Sequence, residues 1–519
     1  MTASKPLPLE LFRDVVARHG GRTALCFEGR QTRYAELDRL SNQCAHALLG
    51  AGIRPGERVC AMAKNNDEFF VLLLGAMKVR ACLTPINWRL AVPEIAFVLK
   101  DSSARLVVHS GEFAQAIAAS AQECETPATR IAFDTDGEGT MLFADWIAAY
   151  PDTPPGIQAR ADDDLIQLYT SGTTGFPKGV QLSHANYRAF IDSVLWAGWA
   201  KWDAGKASLI ASPLFHVAGV NVGLISLLQG VRTILLREPN PALLVKTISD
   251  EQVAYVFLVP TLINMMLQTP ECAGADFSAL ERVCYGASPI ADDVLRRALA
   301  RFQCKFSQLY GLTETTGAGT ELAHEDHDGE LLRSCGRALP NVEVRIARPD
   351  GSEAAAGEVG EIQIRANCVM SAYWNRAEAT NSAIDGEGWF KTGDAGYANA
   401  GGYIFIHDRM KDMIVSGGEN IYPAEVENAI FGHPAVADAA VIGVPDDKWG
   451  EAVKAIVVLK PGTSADEAAI VEWARARIAG YKVPKTVDFA ETLPRNPSGK
   501  VLRRELRERY WKDRDRRVA

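Results

Sequence analysis

Residues 169–179 read Tyr-Thr-Ser-Gly-Thr-Thr-Gly-Phe-Pro-Lys-Gly. The hydroxyl side chains of Thr170, Ser171, Thr173 and Thr174 stand beside Gly172, Gly175 and the cation of Lys178. Glycines let backbone N–H groups approach oxygens closely, hydroxyls donate further hydrogen bonds, and lysine adds a point charge. That is the chemistry of a phosphate cradle. It is not the common P-loop, in which Ser or Thr follows the lysine; here Pro177 precedes it and Gly179 follows. Leu165, Ile166 and Leu168 before the stretch predict a buried strand, and residues 180–190 after it a return to regular structure. Taken alone, the stretch reads equally well as a Gly/Thr-rich surface turn.

Other short runs carry reactive side chains further along. His216 lies among apolar residues in Ser-Pro-Leu-Phe-His-Val-Ala-Gly, where a histidine is by default a satisfied core residue. Residues 285–289, Tyr-Gly-Ala-Ser-Pro, are on their own a turn. Glu314 closes Tyr-Gly-Leu-Thr-Glu and alone is surface charge. Asp394 closes Trp-Phe-Lys-Thr-Gly-Asp; an aspartate there is usually a turn residue, yet it can accept hydrogen bonds from vicinal hydroxyls. Residues 408–419 read as a charged linker, and Lys500 in Pro-Arg-Asn-Pro-Ser-Gly-Lys as a solvated lysine.

In this order, the runs closely resemble the motifs of the adenylate-forming superfamily: acyl-CoA and aryl-CoA synthetases, nonribosomal adenylation domains and firefly-type luciferases. The resemblance covers essentially the whole chain and is nearest to bacterial fatty-acyl-CoA ligases. It implies an AMP-forming acid–thiol ligase that uses ATP, Mg²⁺ and coenzyme A. A carboxylic acid, of medium or long chain, becomes acyl-AMP and then a thioester. The alternatives are an aryl or hydroxycinnamate CoA ligase, and an amide-forming or carrier-loading adenylase.

Carried over residue by residue, the resemblance gives Thr170, Ser171, Gly172, Thr173, Thr174, Gly175 and Lys178 to the phosphates. Gly286, Ala287 and Ser288 let the adenine slide against backbone, Tyr310 offers it an aromatic face beside Gly311, and Thr313 reaches the α-phosphate. Glu314, with Thr170, takes Mg²⁺. Asp394 holds the ribose, and Arg409 makes a second ribose and phosphate contact. Phe215, His216, Val217, Val220 and Asn221, with Gly286 and Gly311, line the acyl pocket. Lys411 is the hinge, and Gly417, Gly418 and Glu419 line the pantetheine passage. Lys500 reaches the carboxylate and α-phosphate and forms the catalytic set with His216 and Thr170. Many relatives have Gly-Arg where this chain has Asp408-Arg409, and some have aspartate in place of Lys411.

Composition bounds the rest. A chain of 519 residues requires two or three cores. Its 47% hydrophobic and 23% charged content is that of a soluble globular protein. A net charge of −9 gives no support to nucleic-acid binding. Ten cysteines without a Cys-x2-Cys pair indicate neither a zinc site nor a disulfide framework and suit a reducing cytosol. No apolar signal core opens the sequence, and no run is long enough to span a bilayer. Residues 503–517 hold eight basic and four acidic side chains, which reads as a solvated helical face, weak contact with an anionic membrane being the other reading. The resemblance leaves a homodimer open.

The elements that must position these residues follow from periodicity. Short apolar strands alternate with helices through residues 59–309, which predicts doubly wound parallel sheets. Proline-rich residues 151–161 read as a loop between subdomains. Period-two alternation over residues 342–364 predicts a small antiparallel subdomain, and residues 423–489 a small α+β domain. The expected organisation is an N-terminal domain over residues 1–408, a hinge at 409–411 and a mobile C-terminal lid over 412–519.

Overall fold

The computed structural model describes residues 5–124, 129–135, 140–170, 177–409, 412–416, 419–446, 449–495 and 501–512. It is a mixed α/β structure with a large N-terminal part and a smaller C-terminal one. Two large sheets make up most of the N-terminal part. The strands of a nine-stranded sheet run Arg337–Ala338, Thr320–Leu322, Lys305–Tyr310, Arg282–Gly286, Val253–Leu258, Ala207–Ile210, Arg232–Leu235, Thr23–Phe27 and Arg30–Arg33. Those of a seven-stranded sheet run Ala372–Tyr373, Lys178–Ser183, Asp164–Thr170, Cys82–Pro85, Arg58–Met62, Leu106–His109 and Thr129–Ala132.

Most interior strands are parallel, as the alternation predicts, while antiparallel strands close both ends of the nine-stranded sheet and the Ala372–Tyr373 end of the seven-stranded one. The helices Glu68–Lys78 and Val217–Leu227 are apolar almost all round and are buried accordingly. One apolar core takes in both helices together with Val59 and Leu83 of the seven-stranded sheet and Leu25 and Ile210 of the nine-stranded sheet. Gly223 is what lets them approach: a Cβ there would stand 2.2 Å from the Phe70 ring. Separate cores under each sheet's other face complete the double winding.

A four-stranded antiparallel sheet follows, Val342–Ala347, Gly360–Ala366, Phe390–Ala398 and Ile404–Arg409, in agreement with the period-two reading. Gly336 joins it to the nine-stranded sheet, bridging to Ile404. Its φ is +88°, and a Cβ there would lie 1.8 Å from the Glu321 carbonyl oxygen. Gly336→Ala is therefore expected to cost about 3 kcal/mol, strain and clash together, read as a lowered denaturation midpoint. A midpoint unchanged from wild type would refute this reading of the junction.

The C-terminal strands Ile414–Ser416, Glu419–Ile421, Val436–Asp446, Gly450–Leu459 and Thr486–Phe489 form one sheet, with helices Pro423–Phe431 and Glu467–Arg475 on its apolar side. The basic tail is a solvated face only in part: Arg504, Glu505, Glu508 and Arg509 are exposed. Within the helix Arg503–Glu508, Leu506 is buried, Arg503 pairs with Glu427 at 2.7 Å, and Arg507 with Asp412 at 3.0 Å. Counter-charges on the packed surface turn those arginines inward. No described helix is long and apolar enough to cross a membrane.

Candidate active site

The phosphate-type stretch is carried by a hairpin. Asp164–Thr170 runs antiparallel to Lys178–Ser183, with Thr170 opposite Lys178 and Tyr169 opposite Gly179. Lys178, read from sequence as part of the loop, is thus the first residue of its return strand. Ser171, Gly172, Thr173, Thr174 and Gly175 lie outside the described residues. The Lys178 ammonium sits 4.9 Å from the centroid of the Tyr373 ring, a cation–π distance. The Tyr373 hydroxyl donates to Glu314 Oε1 at 2.9 Å. Tyr373 therefore stands between the predicted phosphate lysine and the predicted metal carboxylate. Sequence reasoning missed it, and the only signal was an aromatic pair, Tyr373-Trp374, in an otherwise plain loop.

The base candidates lie at the ends of neighbouring parallel strands, and Tyr310 links them to the ribose candidate on the antiparallel strand Phe390–Ala398. Gly286 pairs with Leu309, and a Cβ at Gly286 would lie 2.1 Å from the Leu309 carbonyl oxygen. Ala287 follows with a φ of +67°, which turns the backbone out of the sheet, and Ser288 is half-buried. Tyr285 itself points away into the core, its hydroxyl 3.1 Å from His327 Nε2. Tyr310 donates its phenol hydrogen to Asp394 Oδ2 at 2.7 Å. Burial, with the Asp394 carboxylate beside it, holds that phenol well above its ordinary pKa, so it stays a donor. The Asp394 amide donates to Thr392 Oγ1 at 3.0 Å, and the Asp394 backbone faces that of Arg409 across the antiparallel ladder.

Gly311 opens a tight loop, in which a Cβ would stand 2.3 Å from the Gly317 carbonyl oxygen. Thr313 and Glu314 form a short 3-10 turn within it, and Glu314 is buried. Its carboxylate binds Tyr373 through Oε1 alone among the described residues, leaving Oε2 available. A carboxylate oxygen of this kind is the hard donor that Mg²⁺ prefers.

The acyl-pocket candidates lie at the start of the helix Val217–Leu227. His216 is its N-cap, half-buried, with Nε2 shut from solvent and without a partner among the described residues. The Phe215 ring lies 4.6 Å from it. Burial first, then the Arg89 charge, lower the His216 pKa to about 4, so the imidazole is neutral near pH 7. Asn221 donates through Nδ2 to the Thr316 carbonyl oxygen at 2.8 Å, while its Oδ1 is buried without a partner among the described residues. The helix is thereby tied to the loop of Gly311 and Glu314. Val217 is half-buried there, whereas Val220 is wholly buried in the main core.

His184 is buried as well, and burial lowers its pKa to about 4. Between pH 6.5 and 4 the unfolded chain binds protons at both histidines and the folded chain does not. Stability should therefore be fullest above pH 6.5 and fall by about 3 kcal/mol per histidine on acidification to pH 4. His184→Asn is expected to flatten this slope in denaturant titrations across that range. An unchanged slope would contradict the assignment.

Lys411, Gly417, Gly418 and Lys500 lie outside the described residues, and Glu419 is described only as the backbone opening the strand Glu419–Ile421.

Two stacked α/β sheets with this cluster at their strand ends, followed by a smaller α+β part, define the adenylate-forming class. The chain belongs to the AMP-binding enzyme family, whose pattern matches residues 12–374, and the AMP-binding enzyme C-terminal domain pattern matches residues 425–500. Among curated relatives it is 39% identical over 508 residues to the fatty acid–[acyl-carrier-protein] ligase ScoC of Streptomyces coeruleorubidus, covering 97% of this chain and 96% of that one. It is 39% identical to the long-chain-fatty-acid–CoA ligase FadD13 of Mycobacterium tuberculosis, with 92% and 93% covered. It is 39% identical to a feruloyl-CoA synthase of Amycolatopsis, with 95% of each chain covered. Among solved structures, ATP-bound MatB from Rhodopseudomonas palustris superposes with a TM-score of 0.87 at 30% identity, covering 97% and 99% of the two chains.

Proposed function

We propose that the protein is an AMP-forming ligase that activates a fatty acid of medium or long chain with ATP and transfers it to coenzyme A. The observation that carries the reading is that four predicted ATP residues fall into two contacting groups. Tyr373 lies between Lys178 and Glu314, and Tyr310 binds Asp394. Asp394 would take the ribose hydroxyls, and the turn after Gly286 the base. Thr170 and Lys178 would take the phosphates. Glu314 and Thr170 would hold Mg²⁺, which neutralises phosphate charge when bound. The acid is already ionised near neutral pH, so no general base is needed. Neutral His216 adds no charge beside it and is free to offer one hydrogen bond.

Lys500 would stabilise charge building on the α-phosphate and carboxylate as pyrophosphate leaves. The C-terminal domain, residues 412–519, would then turn about Lys411 within the 409–411 hinge. That movement withdraws Lys500 and brings in Gly417, Gly418 and Glu419 along the thiol's path. The largely apolar pocket candidates, and the relatives FadD13 and ScoC, support a fatty acid. An enzyme of this kind would work in the cytoplasm, where ATP and coenzyme A are supplied.

One observation favours a second reading. The buried Asn221 Oδ1, without a partner among the described residues, suits an acid with a donor on its tail, such as a hydroxylated aromatic acid, and a feruloyl-CoA synthase is among the relatives. AMP release with a panel of fatty and hydroxycinnamic acids, with and without coenzyme A, separates the readings when products are weighed by mass spectrometry. Fatty acyl-CoA masses are expected. Thioesters of aromatic acids alone would favour the second reading. Acyl-adenylate without any thioester would point to a carrier protein or amine acceptor and overturn the coenzyme A assignment.

A further inference from the structure

Behind the phosphate hairpin lies a closed circuit of polar and aromatic contacts that the proposed reaction leaves unused. Asp101 is near the end of the helix Val92–Ser102, its side chain 8% exposed. Its Oδ2 accepts from the Tyr169 hydroxyl at 2.7 Å. That hydroxyl in turn accepts from Gln167 Nε2 at 3.1 Å. Gln167 Oε1 accepts from Arg58 Nε at 3.0 Å, and the Arg58 guanidinium lies 3.4 Å from the Trp374 ring centroid. The Trp374 indole N–H donates to the Asp101 backbone carbonyl at 2.8 Å, which closes the circuit. Arg376 also donates to Asp101, at 2.7 Å on Oδ1, so both carboxylate oxygens are engaged.

The circuit grips both strands of the hairpin next to their reactive ends. On one strand it holds Tyr169, the neighbour of Thr170. On the other, the Trp374 amide donates to the Gly179 carbonyl at 2.7 Å, and Gly179 is the neighbour of Lys178. A Cβ at Gly179 would stand 2.6 Å from Gln167 Nε2 and 3.1 Å from the Tyr169 ring, so the strand lies directly on the circuit. Tyr373, one residue before Trp374, is the side chain lying between Lys178 and Glu314. A shift of Asp101 would thus be passed to Thr170, Lys178 and Glu314 together.

We propose that Asp101 is a positioning residue for ATP, acting through Tyr169 and Trp374 to set the spacing of Thr170 and Lys178. The proposal rests on reading the hairpin as the ATP phosphate site, and it adds a residue outside every motif that carries that reading. A residue that served only the fold would lower both half-reactions through loss of folded protein. A positioning residue for the phosphates affects only the half that uses ATP.

The test uses the full-length enzyme with Tyr169→Phe, Asp101→Asn and the double variant. Tyr169→Phe removes a single oxygen, so it keeps the test available if Asp101→Asn folds poorly. Each single variant is expected to raise the KM for ATP about tenfold, the scale of one hydrogen bond to a charged group. The acid KM, and thioester formation from supplied acyl-adenylate, should stay within about twofold of wild type. Because both variants break the same circuit, the double variant should be little worse than the worse single one. An unchanged ATP KM, equal losses in both half-reactions, or multiplied losses in the double variant would each overturn the proposal. Wild-type enzyme that forms no acyl-adenylate from any acid would overturn the functional reading and this proposal with it.

Discussion

Lys500→Ala is expected to slow acyl-adenylate formation by about 10²–10³-fold, the range for removing one preorganised group that stabilises transition-state charge. It should leave thioester formation from supplied acyl-adenylate within about twofold of wild type. The asymmetry follows from where charge moves. As pyrophosphate leaves, negative charge shifts around the α-phosphorus and the attacking carboxylate, and a cation held there lowers the barrier more than it strengthens binding. In the second half-reaction charge builds on the carbonyl oxygen and the departing AMP, but the proposed turn of the C-terminal domain has by then withdrawn Lys500. Stopped reactions with ATP and acid read the first half, and coenzyme A with synthetic acyl-adenylate reads the second. Equal losses in both would contradict two separate arrangements of the C-terminal domain about Lys411.

Asp394→Ala carries the second-largest expected effect. The carboxylate is buried, accepts from Tyr310 at 2.7 Å, and is given the ribose hydroxyls as well. Truncation removes those contacts and leaves the Tyr310 hydroxyl without its acceptor in a buried place. The KM for ATP should rise about 100-fold, close to 3 kcal/mol, with the acid KM little changed. Asp394→Asn retains an acceptor oxygen for Tyr310 and should lose about tenfold. Tyr310→Phe keeps the ring and leaves the carboxylate in place for the ribose, so its effect should be milder than that of Asp394→Ala. If Tyr310→Phe were as damaging as Asp394→Ala, the aspartate would be serving the tyrosine rather than the ribose.

The legible part of the site was the part written in contiguous residues. The hydroxyl-glycine run from Thr170, the strand-end glycines Gly286 and Gly311, and Glu314 and Asp394 are the candidates that the family resemblance names, through motifs contiguous in sequence. The parallel interior of both sheets was legible too, because short apolar strands alternate with helices. The antiparallel fold-back of Lys178–Ser183 was not. Lys178–Ser183 is too short and too mixed, Lys-Gly-Val-Gln-Leu-Ser, to declare that it folds back on its neighbour. The helix Asp292–Phe302 also went unread, although Val294, Leu295, Ala298 and Phe302 set out an apolar stripe of helical spacing.

Side chains that act through space left the least trace. Tyr373 and Glu314 are 59 positions apart, and Tyr169 and Asp101 are 68 apart. No local pattern distinguishes such partners from any other tyrosine and acid. The basic tail shows the same limit in reverse. Arg503 and Arg507 look solvated in sequence because Glu427 and Asp412, which meet them, lie far earlier in the chain.

The central claim is that a carboxylate attacks the α-phosphorus of ATP in this site. The most direct measurement supplies the acid with oxygen-18 in both carboxylate positions, together with ATP, Mg²⁺ and coenzyme A, and weighs the AMP released. Attack at the α-phosphorus followed by thiol attack at the carbonyl leaves one labelled oxygen in every AMP. Unlabelled AMP, or label found in pyrophosphate or phosphate instead, would place the chemistry at another phosphorus and contradict the account.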